Sequence, residues 1–304
     1  MGGLTQSEVA RRLDVPTTRA HRYIARAQSD GLVRVFVDVE SADCVALEWE
    51  LSGRYGLSFC RVAMDVPEQG PLPLRALRAV GADHLMRTVA SGHHSVIGVG
   101  NGRTLAAAVD GMGKVAGAGT RFVSMLGGLT RSGAANPYDV IHRLSEKTGA
   151  DAYLMPAPLY ADSATDKNVM MAQAALAVTM GLIDDASLVV VGIGDLDPAG
   201  GAAPATALRS EEELAALRGA GARAEILGQF LDGEGRILKT PTDPRVMAPP
   251  LEALRGRDVL AIAGGLRKKA AIRAALESGL INAIIIDEAT ARSLVKGLGS
   301  VVAA

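Results

Sequence analysis

The sequence predicts an α/β protein with a doubly wound, mostly parallel sheet, preceded by a small N-terminal winged helix-turn-helix. Short apolar runs without alternation recur along most of the chain, as strands covered on both faces require. Residues 5–37 instead show two short helical patterns, a tight turn and an apolar strand pattern, in the order typical of a winged helix-turn-helix.

The composition indicates a globular protein with room for one large and one small domain. Of 304 residues, 48% are hydrophobic and 21% charged, which is enough to bury a full core. Apolar runs such as 188–193 end well short of the roughly 20 residues that a membrane span requires. The two cysteines lack CxxC spacing, and no basic and apolar leader opens the sequence. We expect a cytoplasmic protein with neither metal nor cofactor.

The charge is distributed unevenly. The formal net charge is -1, but residues 1–36 hold six arginines against three acids and are therefore net +3. Positive charge is concentrated where a DNA contact would be, although a solvated arginine face is the alternative interpretation. The six arginines are Arg11, Arg12, Arg19, Arg22, Arg26 and Arg34.

The N-terminal elements are predicted from capping and turn signals. Thr5–Glu8 has the capping-box pattern, so a short helix is expected to start there. Asp14–Pro16 breaks it, and Thr17 is expected to cap a second helix that runs to about Ser29. Residues 32–37 are predicted to form the strand that follows. We expect the sequence to lack the first helix of the usual domain.

The second helix is the predicted DNA-reading element. In a helix-turn-helix, the N-terminal residues of this helix face the base edges in the major groove, while later cations meet phosphates. A helical hairpin that packs on the large domain remains the alternative. The predicted DNA-binding residues are Thr17, Thr18, Arg19, His21, Arg22 and, for phosphate, Arg26.

The rest of the chain predicts a large domain of alternating strands and helices. We expect a DNA-binding domain at 1–40, a linker helix within 41–56 and a ligand-binding domain at 57–304, with a loop at 66–73. The predicted strands are Val96 to Val99, Phe122 to Leu126, Ala152 to Met155, Leu188 to Ile193, Val259 to Ala263 and Ala283 to Ile286.

Four glycine-rich turns follow predicted strands. They are 98–104, 127–131, 192–195 and 264–268. Because ligands of open α/β sheets bind beyond the carboxyl ends of strands, together these turns predict a site for an anionic or polyhydroxylated ligand. The first turn is not a dinucleotide fingerprint, because Arg103 replaces the third glycine. Each turn could equally be a tight structural turn.

With both halves in view, the sequence resembles the SorC family of sugar-binding transcriptional regulators, in the broader group described with DeoR-type regulators. The match spans nearly the whole chain, and its specificity comes from the order and spacing of motifs that are weak alone. The motifs lie at 4–13, 21–27, 30–33, 100–105, 126–129, 192–194, 263–272 and 287–291.

The resemblance implies a regulator of catabolic genes whose domain resembles sugar-phosphate isomerases and deaminases of the glucosamine-phosphate type without their catalysis. It implies binding of operator DNA and of a sugar, polyol or phosphosugar, and a homotetramer built from dimers. Asn101 departs from the aromatic residue of many relatives, and Lys268 at a helix start would suit a phosphate. The effector-binding residues it implies are Gly100, Asn101, Gly102, Arg103, Thr104, Gly127, Gly128, Asn136, Asp195 and Lys268.

Two other functions stay open at this point. An active sugar-phosphate isomerase or deaminase could use Asp195, Lys268 and Glu288 to move protons. An enzyme has no need of an arginine-rich helix-turn-helix, and no GxSxG or HExxH signature is present. A scaffold protein would leave both the glycine turns and the arginine-rich helix as coincidences.

Overall fold

The computed structural model describes residues 6–29, 41–117, 119–128, 139–196 and 211–296. The chain divides into two compact units, 1–39 and 40–304. The predicted strand at 32–37 lies outside the described residues, as does Thr5 of the predicted capping box. Among the described helices, none is both long enough and apolar enough to cross a membrane.

The first unit contains two helices, α1 (Gln6–Arg12) and α2 (Thr17–Ser29), which pack against each other. Their small residues Ala10 and Ala20 are buried. The prediction that Thr17 caps α2 is wrong. The carbonyl of Pro16 accepts hydrogen bonds from the N–H groups of Arg19 and Ala20 at 2.9 and 3.0 Å, so Thr17 is already inside the first turn.

The second unit begins with α3 (Ala42–Tyr55), at the position of the predicted linker helix. It buries Cys44, Leu47 and Leu51 in the same apolar cluster as the large sheet. The Glu48 carboxylate accepts a hydrogen bond from the Val62 N–H at 2.8 Å. Helix α3 therefore covers an edge of the sheet, while its role as a linker stays a prediction.

The core of this unit is a seven-stranded sheet in which every neighbouring pair is parallel. The strands are β1 (Phe59–Ala63), β2 (Val96–Val99), β3 (Arg121–Ser124), β4 (Asp151–Tyr153), β5 (Leu188–Val191), β9 (Asp258–Ile262) and β10 (Ala283–Asp287). Their order in the sheet is β1-β10-β9-β5-β2-β3-β4. Six of the seven strands were predicted, each end to within two residues, whereas β1 was not.

Helices cover both faces of this sheet, and each face has its own apolar cluster. In β5, Val189 and Val191 belong to one cluster, whereas Leu188 and Val190 belong to the other. This double burial explains the continuous apolar runs and confirms the doubly wound prediction. The helices are α4 (Leu74–Ser91), α5 (Arg103–Gly111), α6 (Ile141–Thr148), α7 (Ala164–Met171), α8 (Ala174–Asp185), α9 (Glu211–Gly219), α10 (Lys269–Glu277) and α11 (Glu288–Lys296).

The strand order reverses between β2 and β5. From β2 the chain adds β3 and β4 on one side, and from β5 it adds β9 and β10 on the other. The loops after the two strands lie close together, because a Cβ on Gly192 would be 3.1 Å from the Asn101 carbonyl oxygen. In doubly wound folds, ligands bind in the crevice outside the strand ends at this reversal.

A small antiparallel sheet follows β5 and was not predicted. It consists of β6 (Gly194–Asp195), β7 (Ala224–Ile226) and β8 (Gln229–Leu231). A two-residue turn joins β7 to β8, with φ of 52° at Leu227 and 77° at Gly228. Two positive φ angles are what a type I′ hairpin turn requires.

Candidate functional site

A cavity lies at the reversal of strand order. Its volume, taken over the centres of water-sized spheres, is about 60 Å³. The loops after β2 and β5, the β7–β8 turn and a short helix after β9 contribute its walls. The lining residues are Gly100, Asn101, Gly102, Arg103, Thr104, Leu126, Leu159, Tyr160, Gly192, Ile193, Gly194, Asp195, Glu225, Leu227, Gly228 and Lys268.

The N-terminus of α5 forms one wall. Gly102 precedes the helix with φ of 142°, in the region that favours glycine, and Arg103 is the first helical residue. The buried Thr104 hydroxyl donates a hydrogen bond to the Ile262 carbonyl at 2.6 Å and so ties α5 to β9. Backbone N–H groups and the helix dipole make such a terminus favourable for an anion or a hydroxyl oxygen.

Lys268 also lines the cavity, at the end of the 3-10 helix Leu266–Lys268. This helix is anchored at its start, because the Gly265 N–H donates to the Asp287 carboxylate and the Thr290 hydroxyl, both at 2.9 Å. The Lys268 ammonium donates to the Ile193 carbonyl at 2.6 Å. Burial lowers the pKa of Lys268, an effect opposed by the negative charges of Asp195 and Glu225.

Two carboxylates complete the charged lining. Asp195 in β6 is only 5% exposed. Glu225 in β7 accepts a hydrogen bond from the Gly228 N–H. Burial raises the pKa of Glu225, opposed by that hydrogen bond and by the Lys268 charge. The cavity therefore holds two cationic and two carboxyl side chains.

An aromatic and apolar wall supports the β7–β8 turn. The Tyr160 hydroxyl donates to the Gly228 carbonyl at 2.7 Å. The Arg245 guanidinium lies 5.9 Å from the centre of the Tyr160 ring and pairs with the Glu213 carboxylate at 2.8 Å. Tyr160 and Glu225 therefore hold both backbone groups of Gly228.

The cavity brings together seven of the ten residues that the resemblance implied. Gly127 and Gly128 are not among the residues that line it, and Asn136 lies outside the described residues. Sequence reasoning missed Tyr160, which lies after β4 and forms an isolated bridge with Val246. It also missed Glu225 and Leu227, whose positions depend on a small sheet that was not predicted. The seven residues in the lining are Gly100, Asn101, Gly102, Arg103, Thr104, Asp195 and Lys268.

Backbone pairing accounts for Gly127 and Gly128. The Gly127 N–H donates to the Met247 carbonyl at 2.9 Å, and the Gly128 N–H donates to the Ala157 carbonyl at 2.8 Å. The Gly128 carbonyl accepts from the Leu159 N–H at 2.8 Å. The turn therefore fixes the segment that carries two lining residues, and its own amides are already in hydrogen bonds.

The three side chains that an isomerase or deaminase could use to move protons do not lie together. Asp195 and Lys268 line the cavity, but Glu288 does not. The Glu288 carboxylate instead lies 2.7 Å from the Arg292 guanidinium at the start of α11. Within the described residues, no group of three or more His, Cys, Asp or Glu side chains could hold a metal ion.

In the first unit, the candidate DNA-binding residues share a solvent-exposed surface of α2. The side chains of Ala20 and Ile24 are buried and half-buried, respectively, whereas all six candidates are exposed. The exposed residues are Thr17, Thr18, Arg19, His21, Arg22 and Arg26.

Comparison with known proteins gives matches over almost the entire chain. The family described as "Putative sugar-binding domain" matches residues 39–296. The erythritol catabolism regulatory protein EryD of Brucella abortus (strain 2308) is 44% identical over 297 residues, which cover 97% of this chain and 93% of that protein. The transcriptional regulator LsrR of Enterobacter sp. (strain 638) is 30% identical over 301 residues, which cover 96% of this chain and 88% of that protein.

A solved structure shares the fold. The full-length sorbitol operon regulator SorC from Klebsiella pneumoniae superposes with a TM-score of 0.73 at 23% identity, over 96% of this chain and 94% of that one.

The fold, the charged cavity and these relatives define a transcriptional regulator with a sugar-binding α/β domain, not an enzyme. The chain belongs to the SorC family of sugar-binding transcriptional regulators. The expected family, fold class and class of function are confirmed. Family membership makes DNA and a sugar effector its partners.

The two glycines of the 127–128 turn give a matched pair of variants. A Cβ on Gly127 would overlap the Pro158 carbonyl and lie 2.7 Å from the Ala157 carbonyl oxygen, whereas a Cβ on Gly128 has its nearest neighbour at 3.8 Å. We expect Gly127→Ala to lower the free energy of unfolding by about 1–3 kcal/mol. Gly128→Ala should change it by less than about 1 kcal/mol. Urea denaturation measures both, and equal effects would contradict the packing role.

The buried carboxyl of Glu225 predicts a pH-dependent stability. Because burial raises the pKa of Glu225, the folded chain holds this proton more tightly than the unfolded chain does. Its contribution to stability is complete below the unfolded pKa of about 4.3 and is lost as pH rises through the folded pKa. Glu225→Gln, which has no charge to bury, should therefore gain stability relative to the wild type as pH rises above about 4.

Urea denaturation at several pH values within that range tests this sign. Glu234→Gln, which alters an exposed carboxylate in the turn after β8, is the matched control and should show no such trend. A difference between Glu225→Gln and wild type that stays constant or shrinks as pH rises would contradict the burial argument.

Proposed function

We propose that the protein acts in the cytoplasm on the operator of a carbohydrate or polyol catabolic operon, and that a small sugar, polyol or sugar phosphate in the cavity controls its DNA affinity. The observation that carries this proposal is the meeting of Arg103 and Lys268 with Asp195 and Glu225 in one cavity at the strand reversal. Carboxylates accept hydrogen bonds from hydroxyl groups, and the cations and the α5 N-terminus favour oxygen atoms or a phosphate.

The chemistry of the lining supports a polyhydroxylated ligand over an apolar one. Arg103, Lys268, Asp195 and Glu225 all lie within the lining, and backbone groups of the 100–104 loop add further hydrogen-bonding positions. The name of the 44% identical relative refers to erythritol catabolism, which agrees with an effector of this class.

The DNA-binding part of the proposal rests on α2. Its N-terminal residues are exposed, and two of them, Arg19 and Arg22, can make paired hydrogen bonds to guanine. In a helix-turn-helix this end of the helix meets the base edges. Arg26, one turn beyond Arg22, is proposed to contact a phosphate.

Control by the effector requires at least two copies of the chain. Helix-turn-helix dimers read half-sites about 34–36 Å apart, so a small change in the arrangement of subunits alters operator affinity. We propose a homotetramer built from dimers in which effector binding shifts the population between two arrangements. The differential affinity of the effector for these arrangements sets the size of the response.

The proposed function is tested by DNA binding. Purified protein is titrated against DNA from upstream of its own gene, at two salt concentrations, with and without a panel of sugars, polyols and their phosphates. We expect salt-sensitive binding that one member of the panel changes by tenfold or more. DNA binding that no compound alters would reject effector control. Turnover of a sugar phosphate would favour the isomerase or deaminase alternative.

Arg22→Ala should weaken operator binding by about 5-fold to 150-fold, because a paired contact to guanine is worth about 1–3 kcal/mol. Arg273→Ala, which removes an exposed arginine of α10 in the second unit, is the control and should bind as the wild type does. Fluorescence anisotropy with labelled operator measures both. Equal affinities for the two variants would contradict the assignment of α2 as the reading helix.

Lys268→Ala separates phosphorylated from unphosphorylated effectors. If the Lys268 ammonium contacts a phosphate, the alanine variant should lose far more affinity for a sugar phosphate than for the unphosphorylated parent compound. Calorimetric titration with both compounds measures the difference. Lys269→Ala is the matched control, because Lys269 is the next residue but does not line the cavity. Equal losses for both compounds in Lys268→Ala would show that no phosphate lies there.

A further inference from the structure

Leu227 is an outlier in backbone conformation at the wall of the cavity. Its φ of 52° lies in the left-handed region, where among the described residues only Asp14 is another non-glycine example. A bulky residue with positive φ is uncommon, because its side chain is strained against the backbone there. Asn-Gly is the usual pair for this hairpin turn, so Leu-Gly is a poor local choice.

Packing holds Leu227 in this conformation. The next residue, Gly228, is fixed from both sides, because the Tyr160 hydroxyl binds its carbonyl and the Glu225 carboxylate binds its N–H. A Cβ on Gly228 would lie 2.9 Å from the Leu159 side chain, so this position of the turn has no room for a side chain. The conformation of the hairpin turn therefore fixes the direction in which the side chain of Leu227 points.

That direction is across the cavity, toward the loop after β2. Leu227 is 4% exposed, and a Cβ on Gly100 would be 3.4 Å from its Cδ2 atom. Gly100 itself is held to β5, since its N–H donates to the Val190 carbonyl at 2.8 Å. An apolar side chain thus reaches from the small sheet to the loop after β2, in a lining that also holds four charged side chains.

We propose that Leu227 is a specificity-determining residue that limits the length of the effector. Its isobutyl group occupies space that one end of a longer polyol chain would need, and it offers that end no hydrogen bond. An unpaired hydroxyl against an apolar wall costs binding energy. The inference rests on the proposed function. It adds that the apolar side chain of Leu227, which we call the apolar stop, selects a short polyhydroxylated ligand.

The test is a comparison of effector length in the wild type and in two variants. Linear polyols of four, five and six carbons, each with its terminal phosphate, are titrated by calorimetry against the full chain. The wild type is expected to bind the shortest compounds tightest. Leu227→Ala removes the apolar stop, so the ratio of affinities between the shortest and longest compounds should fall by about tenfold or more.

Leu227→Asn keeps the size of the side chain and suits the left-handed conformation, so it guards against misfolding of the alanine variant. It should retain the part of the preference for short compounds that comes from blocked space, and lose the part that comes from the missing hydrogen bond, because the Asn amide can pair with a hydroxyl. Leu231→Ala, a fully buried leucine of the same hairpin that does not line the cavity, should leave the ratio unchanged.

The outcomes separate the inference from the proposed function. If the wild type binds members of the panel and the ratio in Leu227→Ala is unchanged, or all lengths weaken equally, the role of Leu227 in length selection is overturned while the proposed function stands. If the wild type binds none of the sugars, polyols or phosphates tested, the proposed function falls and the inference falls with it.

Discussion

The close approach of two backbone loops at the ends of β2 and β5 is the constraint on which the site depends. A Cβ on Gly192 would lie 3.1 Å from the Asn101 carbonyl, and the Gly100 N–H is bonded to Val190 of the neighbouring strand. The reversal of strand order opens a crevice, and the glycines let both loops enter it. The N-terminus of α5 then faces that crevice because α5 starts directly after the loop.

Charge is brought to this crevice from segments far apart in sequence. Arg103 lies on α5, and Asp195 and Glu225 lie on the small antiparallel sheet. Lys268 lies on a short helix that is anchored by Asp287. Both Glu225 and Lys268 resist ionisation when buried, and each is stabilised in its charged form by the other. Such an arrangement suits binding of a polar ligand, while the separation of Glu288 from it agrees with a regulator that performs no catalysis.

The sequence predicted those parts of the fold whose signal is local. Strands buried on both faces are continuous apolar runs, so β5 and β10 were found, whereas β1 was missed because Cys60 and Arg61 interrupt its pattern on a partly exposed edge. The strands β6 (Gly-Asp) and β7 (Ala-Glu-Ile) contain no continuous apolar run, which hid the sheet that positions Glu225 and Leu227. Glycines gave an ambiguous signal, since Gly100 enters the cavity but Gly127 serves a close backbone contact.

Hydrogen–deuterium exchange of the full chain, with and without a short polyol or its phosphate, tests the central claim most directly. Binding at the strand reversal should slow exchange in the segments that line the cavity, while amides in the middle of the large sheet stay unchanged. These segments are 100–104, 192–195 and 225–228. Protection confined to other parts of the chain, with these three unaffected, would contradict the account.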